Sequence, residues 1–239
     1  MRLGDIYGFL NELSPFETQA SWDNSGLLVG TKEDEIAQIY LSLDVDSALL
    51  ECVEENSLII THHPLIFKGL KQLDFSIYPA NLIRTMIRKN VSLIAMHTNF
   101  DLSHLNLYVA SKLGLCVNTS KDYVAYCDVN QSFDEFVAKL KKSLNLDTLR
   151  VVKTKEWVKT CALTTGSGGD LLEAIEADCF LTGDLKYHQA FMAKENNLSL
   201  IDIGHFESEC YFAECLAPHL KKLPLKAIIS NSKNPFEYK

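Results

Sequence analysis

Apolar and polar positions alternate between two periods along this chain. Ile6, Phe9, Leu10 and Leu13 recur at helical spacing, and Gln38 to Leu43 is a short β-rich run. A helical stretch from Ser47 leads to a strand over Leu58 to Thr61. Leu82, Ile83, Met86 and Ile87 mark an amphipathic helix ahead of a strand over Val91 to Met96, and Ser103 is placed to cap a helix carrying Leu105 and Val109. The second half repeats the alternation. Ser132-Phe133-Asp134-Glu135 has the capping-box pattern and opens a helix with Phe136, Val137, Leu140 and Leu144. A strand over Val158 to Thr164 enters the turn Gly166 to Gly169, after which Asp170 caps a short helix. Further strands are expected over Cys179 to Thr182, Leu198 to Ile203 and Leu225 to Ser230.

This alternation implies an α/β fold with mostly parallel or mixed sheets covered by helices. Two α/β domains are expected, one formed by residues 1–122 with 222–239 and one by 123–221. The 239 residues, 47% of them hydrophobic and 10% aromatic, suffice for full cores. A net charge of −8 argues against duplex nucleic acid or an anionic membrane surface as the main partner. Apolar runs fall short of a membrane span, and the N-terminal residues lack the apolar core of a secretory signal. Seven scattered cysteines, none in a Cys-x-x-Cys pair, read as reduced core residues of a cytoplasmic protein.

The chemistry concentrates where apolar runs stop. His62 and His63 end the run through Leu58-Ile59-Ile60-Thr61, Asp101 closes the run from Val91, and His205 follows Leu198 to Gly204. Adjacent strand residues point to opposite faces, so His62 and His63 suit two ions better than one. Glu209 lies four residues after His205 and shares its helical face. Imidazoles with carboxylates that can bridge cations suit two divalent ions, whether zinc, iron, manganese or nickel. Such a pair supports hydrolysis. His97 is a candidate proton shuttle or a partner orienting a ligand, His188 a candidate general acid/base, and Lys186 a candidate phosphate contact. The Gly166 to Gly169 turn matches neither a Walker A loop nor a dinucleotide fingerprint.

Thr61-His62-His63-Pro64-Leu65-Ile66-Phe67, His97-Thr98-Asn99-Phe100-Asp101 and Gly204-His205-Phe206-Glu207-Ser208-Glu209 resemble motifs of the Nif-three-like family, also labelled GTP cyclohydrolase I type 2. The resemblance runs from Trp22-Asp23-Asn24-Ser25-Gly26 to Asn234-Pro235-Phe236. It implies two α/β domains with a dinuclear metal site in the cleft between them, held by His62, His63, Asp101, His205 and Glu209. It also implies a toroidal homohexamer and hydrolysis of GTP to formate and 7,8-dihydroneopterin triphosphate. The alternatives are a metal-dependent phosphoester or nucleotide hydrolase and a non-catalytic metal-binding or regulatory protein. The chain departs from the family at Leu102-Ser103-His104-Leu105-Asn106, where a Gly-Gly-Val-Asn-like stretch is usual. A second departure is Gly183-Asp184-Leu185-Lys186-Tyr187-His188, where Gly-Glu-Ile-Lys-His-His is common.

Overall fold

The computed structural model describes residues 1–237, which fall into two compact units. The first comprises Met1–Phe100 and the chain from Phe212 onward, and the second Asp101–Tyr211. Both are mixed sheets accompanied by helices, as expected for the fold class.

The first unit is built on five strands: β1 (Gly26–Val29), β2 (Gln38–Ser42), β3 (Ser57–Thr61), β4 (Ser92–Ala95) and β11 (Ala227–Ile229). Their order is β1-β4-β3-β2-β11, with β1 antiparallel to β4 and the rest parallel. Every residue of β3 and β4 is buried, which explains why these strands read as continuous apolar runs rather than alternating ones. Helices α1 (Leu3–Leu13), α2 (Ser47–Cys52), α3 (Ala80–Arg88), α4 (Thr98–Phe100) and α9 (Phe212–Leu220) accompany the sheet. Asp46 caps α2 by accepting from Leu49 N at 2.7 Å. Leu82, Ile83 and Met86 of α3 join Ile59 and Leu93 in one core cluster, each contributing about 1.5–3 kcal/mol by leaving water. Thr61 pairs with Ala95, so β3 and β4 finish side by side and release residues 62–63 and 97 at the same sheet edge.

The second unit has six strands: β5 (Cys116–Lys121), β6 (Val124–Ser132), β7 (Arg150–Val152), β8 (Trp157–Leu163), β9 (Cys179–Thr182) and β10 (Ser199–Asp202). In the order β5-β6-β8-β9-β10-β7 only β8, β9 and β10 run parallel. Its helices are α5 (Asn106–Lys112), α6 (Phe133–Leu144), α7 (Tyr187–Glu195) and α8 (His205–Glu209). The expected capping box opens α6: Ser132 Oγ accepts from Glu135 N, and Glu135 Oε2 accepts from Ser132 N, both at 3.3 Å. Cys127, Cys161 and Cys179 lie in register across β6, β8 and β9, all buried. The hydrogen bond with Cys127 and burial push the Cys161 thiol up, and burial does the same to Cys179.

Several details differ from the sequence pattern. The units part at 100/101 and 211/212 rather than at 122 and 222, and residue 122 forms the turn between the paired strands β5 and β6. The chain after Asp101 belongs to the second unit because the Asn106 side chain bonds Thr165 and the Tyr123 carbonyl there. Ser103 sits inside a π-helical turn, Asp101–Leu105, that runs on into α5, rather than at a helix N-terminus. Asp170 lies within the short 3₁₀ turn Gly169–Ala174, which starts from Gly168. Strands β5 and β7 are partly or wholly exposed, which leaves their apolar pattern weak. Among the described residues no helix is long and apolar enough to cross a membrane.

Candidate functional site

In both units the chemistry-bearing residues gather at the carboxyl ends of parallel strands, where open sheets leave a crevice for ligands. In the first unit His62 and His63 follow β3 and His97 follows β4. One ligand atom from each of these histidines lies within 4.8 Å of the others. Ring centroids are 5.2 Å apart for His62–His63, 5.1 Å for His62–His97 and 5.7 Å for His63–His97. The buried His62 ring also packs on Phe212, at 5.2 Å, and Phe212 meets Phe100 edge-on at 5.3 Å.

Each ring is held at Nδ1. His62 Nδ1 lies 2.9 Å from the Met96 carbonyl, His63 Nδ1 2.8 Å from Asp44 Oδ1, and His97 Nδ1 2.8 Å from Asp23 Oδ1. Carbonyl and carboxylate oxygens only accept, so Nδ1 donates, and in a neutral ring the lone pair then falls on Nε2. The Asp23 side chain is fully shielded from solvent. Its Oδ1 also accepts from Asn24 N at 2.7 Å, and its Oδ2 accepts from Ser25 Oγ, Thr98 N and Thr98 Oγ1. Burial alone would push this carboxyl up. The hydrogen bond and charge of His97, with the bonds from Thr98 and Asn24, outweigh it and hold Asp23 well below the usual carboxylate range.

In the second unit, His205 opens α8 immediately after β10, and Gly204 before it has φ +79°. His205 Nδ1 lies 2.7 Å from Asp184 Oδ2 beyond β9, and His205 Nε2 lies 2.9 Å from Glu209 Oε2 one turn along. This is the shared helical face expected from their spacing. Glu209 is buried, and a Cβ on Gly166 would overlap its Oε1. Gly166, with φ +62° at the end of β8, is therefore the residue that leaves room for the carboxylate. Ser208 Oγ accepts from Gly166 N at 3.0 Å and donates to the His205 carbonyl at 2.9 Å, which fixes this turn to α8. Asp101, also buried, begins the π-helical turn, and Thr165 Oγ1 lies 3.1 Å from its Oδ1. Such turns recur at functional sites because one extra residue re-aims a side chain.

His188 lies exposed on α7, its ring edge-on to Tyr187 at 5.3 Å, and Lys186 is exposed just before that helix. Asp23, Asp44 and Asp184, which orient three of the four histidines, were not among the residues expected from sequence. Asp44 and Asp184 each follow a buried strand by two residues, the same signal that marked the histidines. Asp23 precedes its strand, and its only signal was membership of the Trp22 to Gly26 motif. The donor set of imidazoles fixed at Nδ1 and buried carboxylates fits divalent cations.

Curated relatives align over the full length. The chain is 55% identical over 240 residues, covering 100% of both sequences, to a Campylobacter jejuni protein named GTP cyclohydrolase 1 type 2 homolog. It is 43% identical to the Helicobacter pylori GTP cyclohydrolase 1 type 2, over 98% of this chain and 97% of that one. Among solved structures, the Staphylococcus aureus hypothetical protein SA1388 superposes with a TM-score of 0.90 at 28% identity, covering 100% of this chain and 99% of that one. The family described as Duf34/NIF3 (NGG1p interacting factor 3) matches residues 1–235, and the chain belongs to that family.

Proposed function

We infer that the protein is a metal-dependent GTP cyclohydrolase, converting GTP and water to formate and 7,8-dihydroneopterin triphosphate. His62, His63, Asp101, His205 and Glu209 hold two divalent ions in this reading. The observation that carries the metal assignment is the setting of the histidines: His62, His63 and His205 are each held at Nδ1 by a carbonyl or carboxylate oxygen that fixes the ring, and His205 Nε2 meets the buried Glu209 carboxylate at 2.9 Å. The names of the full-length relatives support the choice of reaction. Divalent ions, when bound, polarise substrate oxygens and acidify water.

The chain's own groups handle the protons. His97, held at Nδ1 by Asp23, takes up and returns a proton at Nε2 as the imidazole ring of the substrate opens. His188, exposed on α7, is the second proton-handling candidate, and Lys186 offers a cation for the triphosphate. The test is formate release from GTP by protein reconstituted with zinc, iron, manganese or nickel, beside a His63→Ala/Asp101→Ala control. Metal-dependent formate that the control lacks is the expected result. Metal-loaded protein that forms no formate refutes the assignment, and phosphate release instead would make it a phosphoester hydrolase.

A further inference from the structure

We propose that Trp22 and Phe67 form a stacking platform for a planar heteroaromatic base, held beside His97 in the first unit. The proposal deepens the nucleotide reading above and rests on it for the choice of a purine. Trp22 is 62% exposed and Phe67 41% exposed, although burial of rings this large is favourable by about 1.5–3 kcal/mol each. Their centroids lie 5.9 Å apart, and both rings stand edge-on to His97, at 6.1 Å and 75° for Trp22 and at 6.3 Å and 80° for Phe67. The three rings thus pack as one aromatic cluster, with much of the Trp22 and Phe67 surface left open to solvent beside the imidazole.

Hydrogen bonds tie down the chain beside both exposed rings. Trp22 adjoins Asp23, whose buried carboxylate holds His97, and Phe67 adjoins Ile66, whose carbonyl accepts from Asn24 Nδ2 at 2.6 Å. One short stretch, residues 22–24, therefore carries Trp22, holds the His97 ring and ties the chain next to Phe67. Exposed aromatic faces suit bases because every base has a π-face. Phe67 also borders a cavity of about 450 Å³ whose charged lining is Lys68, Lys71 and Asp74, which offers volume and a net positive charge for an anionic tail.

The protein has one other tryptophan, Trp157, so a Trp157→Phe background makes Trp22 the sole indole emitter. In metal-reconstituted protein, guanosine and GTP are expected to quench Trp22 emission saturably, and inorganic tripolyphosphate is not. By equilibrium dialysis Trp22→Ala weakens guanosine binding on the order of 10-fold, Phe67→Ala does the same, and Trp22→Phe restores most of it. Unchanged guanosine affinity in both alanine variants overturns the proposal. So does a change in sedimentation without a change in affinity, which would make the rings a contact between copies of the chain. Failure of the two readings is separable. Quenching without formate rejects the cyclohydrolase and keeps the platform, whereas formate production with an unaltered KM in Trp22→Ala does the reverse.

Discussion

Replacing Asp23 by Asn isolates the group that holds His97. The carboxylate is fully shielded and accepts five hydrogen bonds, two at Oδ1 and three at Oδ2. Two of the donors are backbone N–H groups that cannot rotate away, Asn24 N at 2.7 Å on Oδ1 and Thr98 N at 3.1 Å on Oδ2. An amide has one accepting oxygen, so either rotamer of Asn points its NH₂ at one of these donors. A desolvated donor left without an acceptor costs about 1–3 kcal/mol. The remaining bonds lose their charge assistance, roughly half their strength, which adds about 1 kcal/mol. The first unit should therefore lose about 3 kcal/mol in urea unfolding at pH 7, or about 6–12 °C in Tm. Formate release should fall by about 100-fold as His97 loses its charged partner. A variant within about 1 kcal/mol of the parent would refute the reasoning, because the carboxylate would then be replaceable at its donors.

Gly166→Ala forces a Cβ into the position of Glu209 Oε1 at a left-handed φ. It should cost about 1–2 kcal/mol of stability and lower bound metal to the content of Glu209→Ala, as elemental analysis reads it. Native metal content in the alanine variant would show that Glu209 does not need its position. Burial pushes the Asp178 carboxyl up, but the hydrogen bond from Lys155, the backbone donors of Lys159 and Thr160, and the Lys155 charge pull it below its ordinary value. Its contribution is present above the unfolded carboxylate pKa of about 3.9 and is lost as pH falls through the lower folded value. Asp178→Asn should cost about 1–3 kcal/mol at pH 7 and progressively less below pH ~4. An undiminished penalty in urea unfolding near pH 2 would contradict that linkage.

The parts legible in the sequence share one physical cause. Strands β3, β4 and β10 are buried on both faces, so their apolar runs are continuous and stop abruptly at His62, near His97 and near His205. Helix α6 was legible through its cap, a purely local signal. The edge strands β5 and β7 were not, because solvent on them permits almost any residue. Asp23, Asp44 and Asp184 stayed silent for another reason. Which carboxylate meets which ring is decided by contacts over 74, 19 and 21 residues, and no local pattern encodes them. The demand for Gly166 has the same origin, since Glu209 reaches it from a distant helix.

The first unit is interrupted in sequence, and this sets an order of assembly. On an emerging polypeptide the second unit has all its strands once residue 202 has appeared, whereas β11 and α9 of the first come later. Domains generally fold as units as they are synthesised. The inserted second unit can thus close while the first still lacks Phe212, the ring that backs both His62 and Phe100. A nascent chain, though its first hundred residues encode His62, would then lack the aromatic ring behind that histidine until its own C-terminal segment arrives.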